Sequence, residues 1–116
     1  MRALGYAGAG LVFITRTQPN WRVHLGAGVV AITAGFLLRF SPDELVMVVL
    51  AIGLVFTAEA VNTAVEAAVD AMERPPSAAA KHAKDAAAAS VLVAALTSLA
   101  VAGLLFGPKL LALVRL

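Results

Sequence analysis

The sequence predicts an all-α membrane protein with three spanning helices and an amphipathic helix ahead of them on the membrane surface. Three observations predict it. Hydrophobic residues make up 61% of the 116-residue chain and charged residues only 14%, whereas a soluble domain is nearer half apolar and a quarter charged. The apolar residues gather in stretches of about spanning length, parted by short segments rich in Pro, Gly, Ser and charge. One stretch also carries Glu59, Asn62, Glu66 and Asp70, which at about 100° per residue share one stripe of a helix.

Each element has its own justification. Residues 3–15 are apolar but too few to cross a bilayer, and Arg2 and Arg16 flank them like the ends of a helix lying in the headgroup plane. A surface helix is expected over about 2–16. This stretch could pass for a secretory leader, but it runs into Arg16-Thr17-Gln18-Pro19-Asn20 without a clean small-residue cleavage site, so it reads as retained. The first span is expected over about 22–40, between Arg22 and the Arg39 to Glu44 segment, with Gly26, Gly28 and Gly35 inside it.

The second span is expected over about 43–72. Ser41 suits the N-cap, Pro42 the first helical position, and Asp43 and Glu44 the first turn, where the helix dipole favours negative charge. Pro75-Pro76 stop it. A helix of about 30 residues is about 45 Å long, more than the roughly 30 Å of hydrocarbon, so its polar end projects into the interface. Glu66 and Asp70 then sit near headgroup level and Glu59 one to two turns deeper. The third span is expected over about 78–107, opening with Lys81, His82, Lys84 and Asp85 and uncharged from 90 to 106. Gly107-Pro108-Lys109 is expected to end it, leaving Leu110 to Leu116 as a tail at the opposite surface. The chain reads as one membrane domain, 1–116.

Composition also excludes functions. With no cysteine, neither disulfides nor thiolate chemistry is available. The net charge of +2 is small and scattered, which argues against a nucleic-acid partner. Arg2, Arg16, Arg22, Arg74, Lys81 and Lys84 fall on the amino-terminal side of the membrane, against Arg39, Lys109 and Arg115 on the other. Six against three favours a cytoplasmic amino terminus, with the polar stripe opening toward the cytoplasm.

A charge inside a bilayer costs roughly 2.5–3.5 kcal/mol on insertion scales and normally faces protein or a water-filled site. Carboxylates beside an amide, with lysines at the mouth of a bundle, suit Mg²⁺, which is usually held by one or two carboxylates plus substrate phosphates. Lys84 and Lys81 are placed to hold phosphate oxygens. A deeper carboxylate, Glu59, is placed to accept a proton from a lipid hydroxyl. Together these parts suit phosphoryl transfer, which is largely positioning and charge neutralisation. No Walker A or Gly-rich kinase loop occurs, so a nucleotide site must be built differently.

The run Glu59-Ala-Val-Asn62-Thr-Ala-Val-Glu66-Ala-Ala-Val-Asp70, followed fourteen residues on by Lys84-Asp85, resembles the signature of the prokaryotic diacylglycerol kinase and undecaprenol kinase family. The resemblance extends to Tyr6 and Gly10 and to Asn20-Trp21-Arg22-Val23-His24, which is similar to the Asn-Phe-Arg-Ile-His of the Gram-positive branch. It implies a homotrimeric enzyme of the bacterial inner membrane that transfers the γ-phosphate of ATP to a lipid hydroxyl, at active sites shared between neighbouring chains. It implies Glu59 as general base, Glu66 as Mg²⁺ ligand, Asn62 and Asp70 as organisers of the nucleotide side, and Lys84, Asp85 and Tyr6 as nucleotide contacts. Arg22 and Trp21 fall on the lipid-substrate side. One position departs: the family usually has a second metal-binding Glu just before the first span, and here that position is Gln18. Its amide oxygen can ligate Mg²⁺ but brings no charge, so weaker metal binding or help from another carboxylate is expected. The acceptor, undecaprenol or diacylglycerol, is weakly tilted toward undecaprenol by the Asn20 to His24 segment.

Plainer readings stand beside these. Glu59 alone could be a structural carboxylate between helices, and Glu66 and Asp70 a solvated helix end. Lys81 reads first as a topology or headgroup charge, Asn62 as interhelical glue, and the first-span glycines as packing sites. His24 and His82 read as interfacial, and Trp21 as an interface anchor. A small oligomeric ion or proton conductor lined by the Glu59 stripe is the alternative from another class. Against it, Leu45 to Phe56 offers no charged or amide group to continue a path.

Overall fold

The computed structural model describes residues 1–72, 75 and 77–115, and within them the chain breaks where backbone restrictions force it to. Helix α1 runs Arg2–Thr17 and ends because Gln18, the residue before a proline, is extended at φ −108°, ψ 106°. Pro19 then opens α2, Pro19–Leu37, one turn ahead of the expected start. Arg74, counted above among the cytoplasmic charges, and Pro76 of the expected helix stop lie outside the described residues.

Between α2 and α3 the chain turns through Arg39, which takes a left-handed φ of 56°. The Arg39 N–H donates to the Phe36 carbonyl at 3.1 Å and the Phe40 N–H to the Gly35 carbonyl at 2.9 Å, the paired bonds of a Schellman ending. Helix α3, Pro42–Asp70, begins with a full capping box. The Glu44 N–H donates to Ser41 Oγ at 3.2 Å and the Ser41 N–H to Glu44 Oε2 at 2.7 Å. Helix α4, Ala78–Val114, starts on a Ser77 cap whose Oγ accepts from the Ala80 N–H at 3.1 Å.

The expected stop at Gly107-Pro108 is corrected: α4 continues through Pro108 to Val114. Pro108 removes one backbone donor, but Gly107 before it has no Cβ to clash with the proline ring, which relieves the usual penalty on helical backbone there. The continuation carries Lys109 back over the start of α3. Its Nζ lies 3.2 Å from Glu44 Oε2 and 5.4 Å from the Phe40 ring centroid, and Phe40 meets Phe106 at 4.7 Å.

Helix α3 is the centre of the molecule, packing most extensively on α4 and next on α2, while α1 rests against α2. The buried or half-buried residues recur at alternating steps of three and four. In α2 the seam passes through Trp21, His24, Gly28, Ala31 and Gly35, with Ile32 and Ala34 half-buried beside it; in α3 it runs from Leu45 through Val48, Ile52 and Val55 to Glu59, Asn62 and Glu66. In α4 the same steps mark Lys84, Ala87, Val91, Ala94 and Ser98. Such seams let helices pack side by side with ridges in grooves. The polar stripe is the continuation of the apolar seam of α3.

Two helices, α3 and α4, are long and apolar enough to cross a membrane. Helix α2 falls short on its own, because Asn20, Arg22 and His24 occupy its first two turns and leave an apolar run over 25–37 that is about 20 Å long. Large side chains such as Val30, Phe36, Leu50, Leu92 and Leu104 point outward and are exposed.

Candidate active site

The seam of α3 turns polar over its last three turns, and each polar residue meets a different environment. Glu59 is 3% exposed. Its Oε1 is buried without a hydrogen-bond partner among the described residues and lies 3.4 Å from Nε2 of His24 on α2. One turn on, Asn62 Nδ2 donates to Glu66 Oε1 at 3.4 Å, while Asn62 Oδ1 is buried and unpartnered. Thr63, also buried, donates its hydroxyl to the Glu59 carbonyl at 2.9 Å. At the end of α3, Asp70 Oδ1 accepts from Lys84 Nζ of α4 at 2.8 Å.

From Glu59 to Asp70 the helix rises about 17 Å, so the residues descend from an exposed cation–carboxylate pair to a buried carboxylate. Around the exposed end, the α3–α4 corner leaves an open hollow of about 700 Å³ lined by Asp70, Lys84 and Asp85 together with Ser77 and Lys81. Asp85 is bonded to Lys81 one turn earlier on α4. Lys81 therefore also lines the hollow. Beyond the buried end lies a second cavity of about 340 Å³ between α2, α3 and α4, lined almost wholly by apolar residues, with His24 at its rim.

The donors around Glu66 are hard oxygens: its own carboxylate and the unused Asn62 Oδ1. Among the described residues no three His, Cys, Asp or Glu side chains converge on one point. That set does not make an all-protein cage, but it fits Mg²⁺, which keeps several waters and shares its coordination with phosphates.

The structure brings together Asp70, Lys84 and Asp85 at the mouth, Asn62 with Glu66 in the middle, and Glu59 at the buried end. Others stay outside this set. Tyr6 is exposed on α1, Arg22 is exposed on α2, and Gln18 is half-buried at the α1–α2 break. Among the described residues no side-chain hydrogen bond or ion pair ties these three to the seam. Trp21, expected to anchor at the interface, is instead buried against Phe56 of α3, ring centroids 4.6 Å apart, because it lies on the inward seam of α2. His24, expected to be interfacial, is the residue that sequence reasoning missed at the site. Its signal was present: it stands three residues from Trp21 and four from Gly28, in step with the seam.

Comparison with known proteins places the chain in a family. Residues 5–106 match the family described as prokaryotic diacylglycerol kinase. The undecaprenol kinase of Bacillus subtilis (strain 168) is 39% identical over 105 residues, covering 90% of this chain and 85% of that one. The diacylglycerol kinase of Synechocystis sp. (strain ATCC 27184 / PCC 6803 / Kazusa) is 40% identical over 109 residues, covering 93% of this chain and 62% of its own. With the match spanning both the polar seam and the helices that present it, the chain belongs to the prokaryotic diacylglycerol kinase family.

Proposed function

We propose that this protein is an integral-membrane lipid kinase that transfers the γ-phosphate of ATP to the hydroxyl of a membrane lipid. The observation that carries the reading is the gradient along α3, from the Asp70–Lys84 pair at an open hollow to Glu59, buried with an unused oxygen. A site with a wet end and an apolar end admits a charged nucleotide from one phase and a lipid alcohol from the other. It serves a conductor poorly, because the seam beyond Glu59 is apolar.

In this mechanism Lys84, held by Asp70, receives phosphate oxygens at the mouth, and Asp85 and Lys81 line the same hollow. Glu66, with Asn62 Oδ1, would hold Mg²⁺, which when bound would supply neutralisation of phosphate charge. Glu59 Oε1 accepts the proton of the lipid hydroxyl as that oxygen bonds to the γ-phosphorus and the bond from γ-phosphorus to the bridging oxygen breaks, releasing ADP. Tyr6, Gln18 and Arg22 complete the nucleotide, metal and lipid sides in an assembly of three copies, in which sites are shared between neighbouring chains, while Trp21, packed on Phe56, backs the lipid side from within its own chain. In that assembly α1 is the surface helix, α2 spans with α3 and α4, and the amino terminus and the hollow face the cytoplasm across the inner membrane.

The acceptor favoured is undecaprenol, on the Asn20-Trp21-Arg22-Val23-His24 segment and the Bacillus subtilis relative's name; the Synechocystis relative's name makes diacylglycerol the second candidate. Purified protein in mixed micelles, given labelled Mg·ATP and each lipid in parallel, is expected to phosphorylate undecaprenol faster. Equal labelling of both would remove the acceptor assignment, and labelling of neither by folded protein at saturating Mg²⁺ would remove the kinase reading.

A further inference from the structure

We propose that His24 is a positioning residue for lipid phosphorylation, its Nε2–H holding Glu59 Oε1 in the orientation that receives the acceptor proton. This inference rests on the reading of Glu59 as the base. Glu59 is almost completely buried, and Oε1 lacks a hydrogen-bond partner among the described residues, yet the imidazole of His24 stands 3.4 Å from that atom. Helix α4 offers no competing charge, having no ionisable residue from Ala86 to Pro108, and on α3 the Thr63 hydroxyl donates to the Glu59 carbonyl and Asn62 to Glu66. At 3.4 Å the contact is about 0.5 Å longer than a well-formed N–H···O bond, a gap of the kind that closes when substrate completes a site.

The imidazole is itself held. Gly28 lies against Ile52 and Gly35 against Leu45, an antiparallel register that, continued toward the start of α2, sets His24 level with Phe56 and Trp21 level with Glu59. The two observed contacts, Trp21 on Phe56 and His24 on Glu59, are therefore crossing diagonals between the same four positions. The tilted ring pair, packed at 4.6 Å, sets the separation of α2 and α3 at this level, and with it the reach of His24. His24 is also a rim residue of the apolar cavity, so it adjoins both the base and the apolar end of the site.

Three substitutions separate hydrogen bonding from packing. His24→Gln keeps an N–H near the Nε2 position, His24→Leu keeps bulk without a donor, and His24→Ala keeps neither. With undecaprenol and diacylglycerol each as acceptor, kcat is expected to fall on the order of 10- to 100-fold in His24→Ala and His24→Leu. In His24→Gln it should stay within about fivefold of the parent, with the KM for Mg·ATP unchanged in all three. If His24→Leu matches His24→Gln, or if all three lose kcat alike while keeping the parent's thermal transition, the positioning role is overturned. A Glu59→Gln protein that still transfers phosphate would instead overturn the reading beneath it.

Discussion

At the scale of single residues, the same side-chain types do different work according to depth. Lys84 is half-buried and fixed by Asp70 across two helices, which presents its charge to the hollow rather than to bulk water. Lys84→Met is expected to raise the KM for Mg·ATP on the order of tenfold, as for a lost hydrogen bond to a charged group, with a smaller effect on the KM for lipid. Steady-state kinetics varying each substrate separately checks this. Gln18 brings an oxygen without a charge, so Gln18→Glu should lower the Mg²⁺ concentration for half-maximal rate several-fold, since hard cations favour carboxylate ligands. A Mg²⁺ titration at fixed ATP reads that shift, and no change would remove Gln18 from the metal side. Residue roles were partly legible in the sequence, because a carboxylate in an apolar run demands a reason. The spacing of His24 to Trp21 and Gly28 marks it as inward-facing, but not as a site residue, because its partner across the helices, Glu59, is known only from the structure.

At the scale of elements, the helix starts were easier to anticipate than the ends. Ser41-Pro42-Asp43-Glu44 encodes a cap, a preset φ and a favourable dipole interaction within four residues, and the capping box is formed. The end of α4 was misread because Gly107-Pro108 is ordinarily a stop; the rest of the helix overrides it and brings Lys109 to Glu44 and Phe40. The end of α2 carries a visible cost. Arg39 occupies the left-handed region, where a side chain is disfavoured by about 1–2 kcal/mol. Since glycine loses more freedom on folding, Arg39→Gly is expected to stabilise by about 0.5–1 kcal/mol net, seen as a higher thermal transition in micelles. An unchanged or lower transition would mean that Arg39 makes a compensating interaction at the membrane surface.

At the scale of the molecule, α2, α3 and α4 meet along seams of mostly small and medium side chains with Trp21 as the large exception, while most of their large apolar residues face outward. A chain that buries so few large side chains leaves its apolar surface for lipid and, in the assembly proposed above, for other copies. The protein mass in detergent-free lipid nanodiscs is accordingly expected to be three times the 11.9 kDa chain, and a monomer of full activity would contradict shared sites. The all-helical class and the polar seam followed from periodicity in the sequence. The level at which α2 meets α3 did not, because register depends on which side chains oppose each other across the interface.

The central claim is that Glu59 receives the proton of a lipid hydroxyl while the outer end of the seam holds the nucleotide. The most direct test measures phosphate transfer and Mg·ATP binding together in Glu59→Gln, which keeps size and polarity but removes the base. Transfer should fall on the order of 10²- to 10⁴-fold while nucleotide affinity stays within about twofold of the parent. Transfer within tenfold of the parent, or a loss that follows weakened nucleotide binding, would contradict the account.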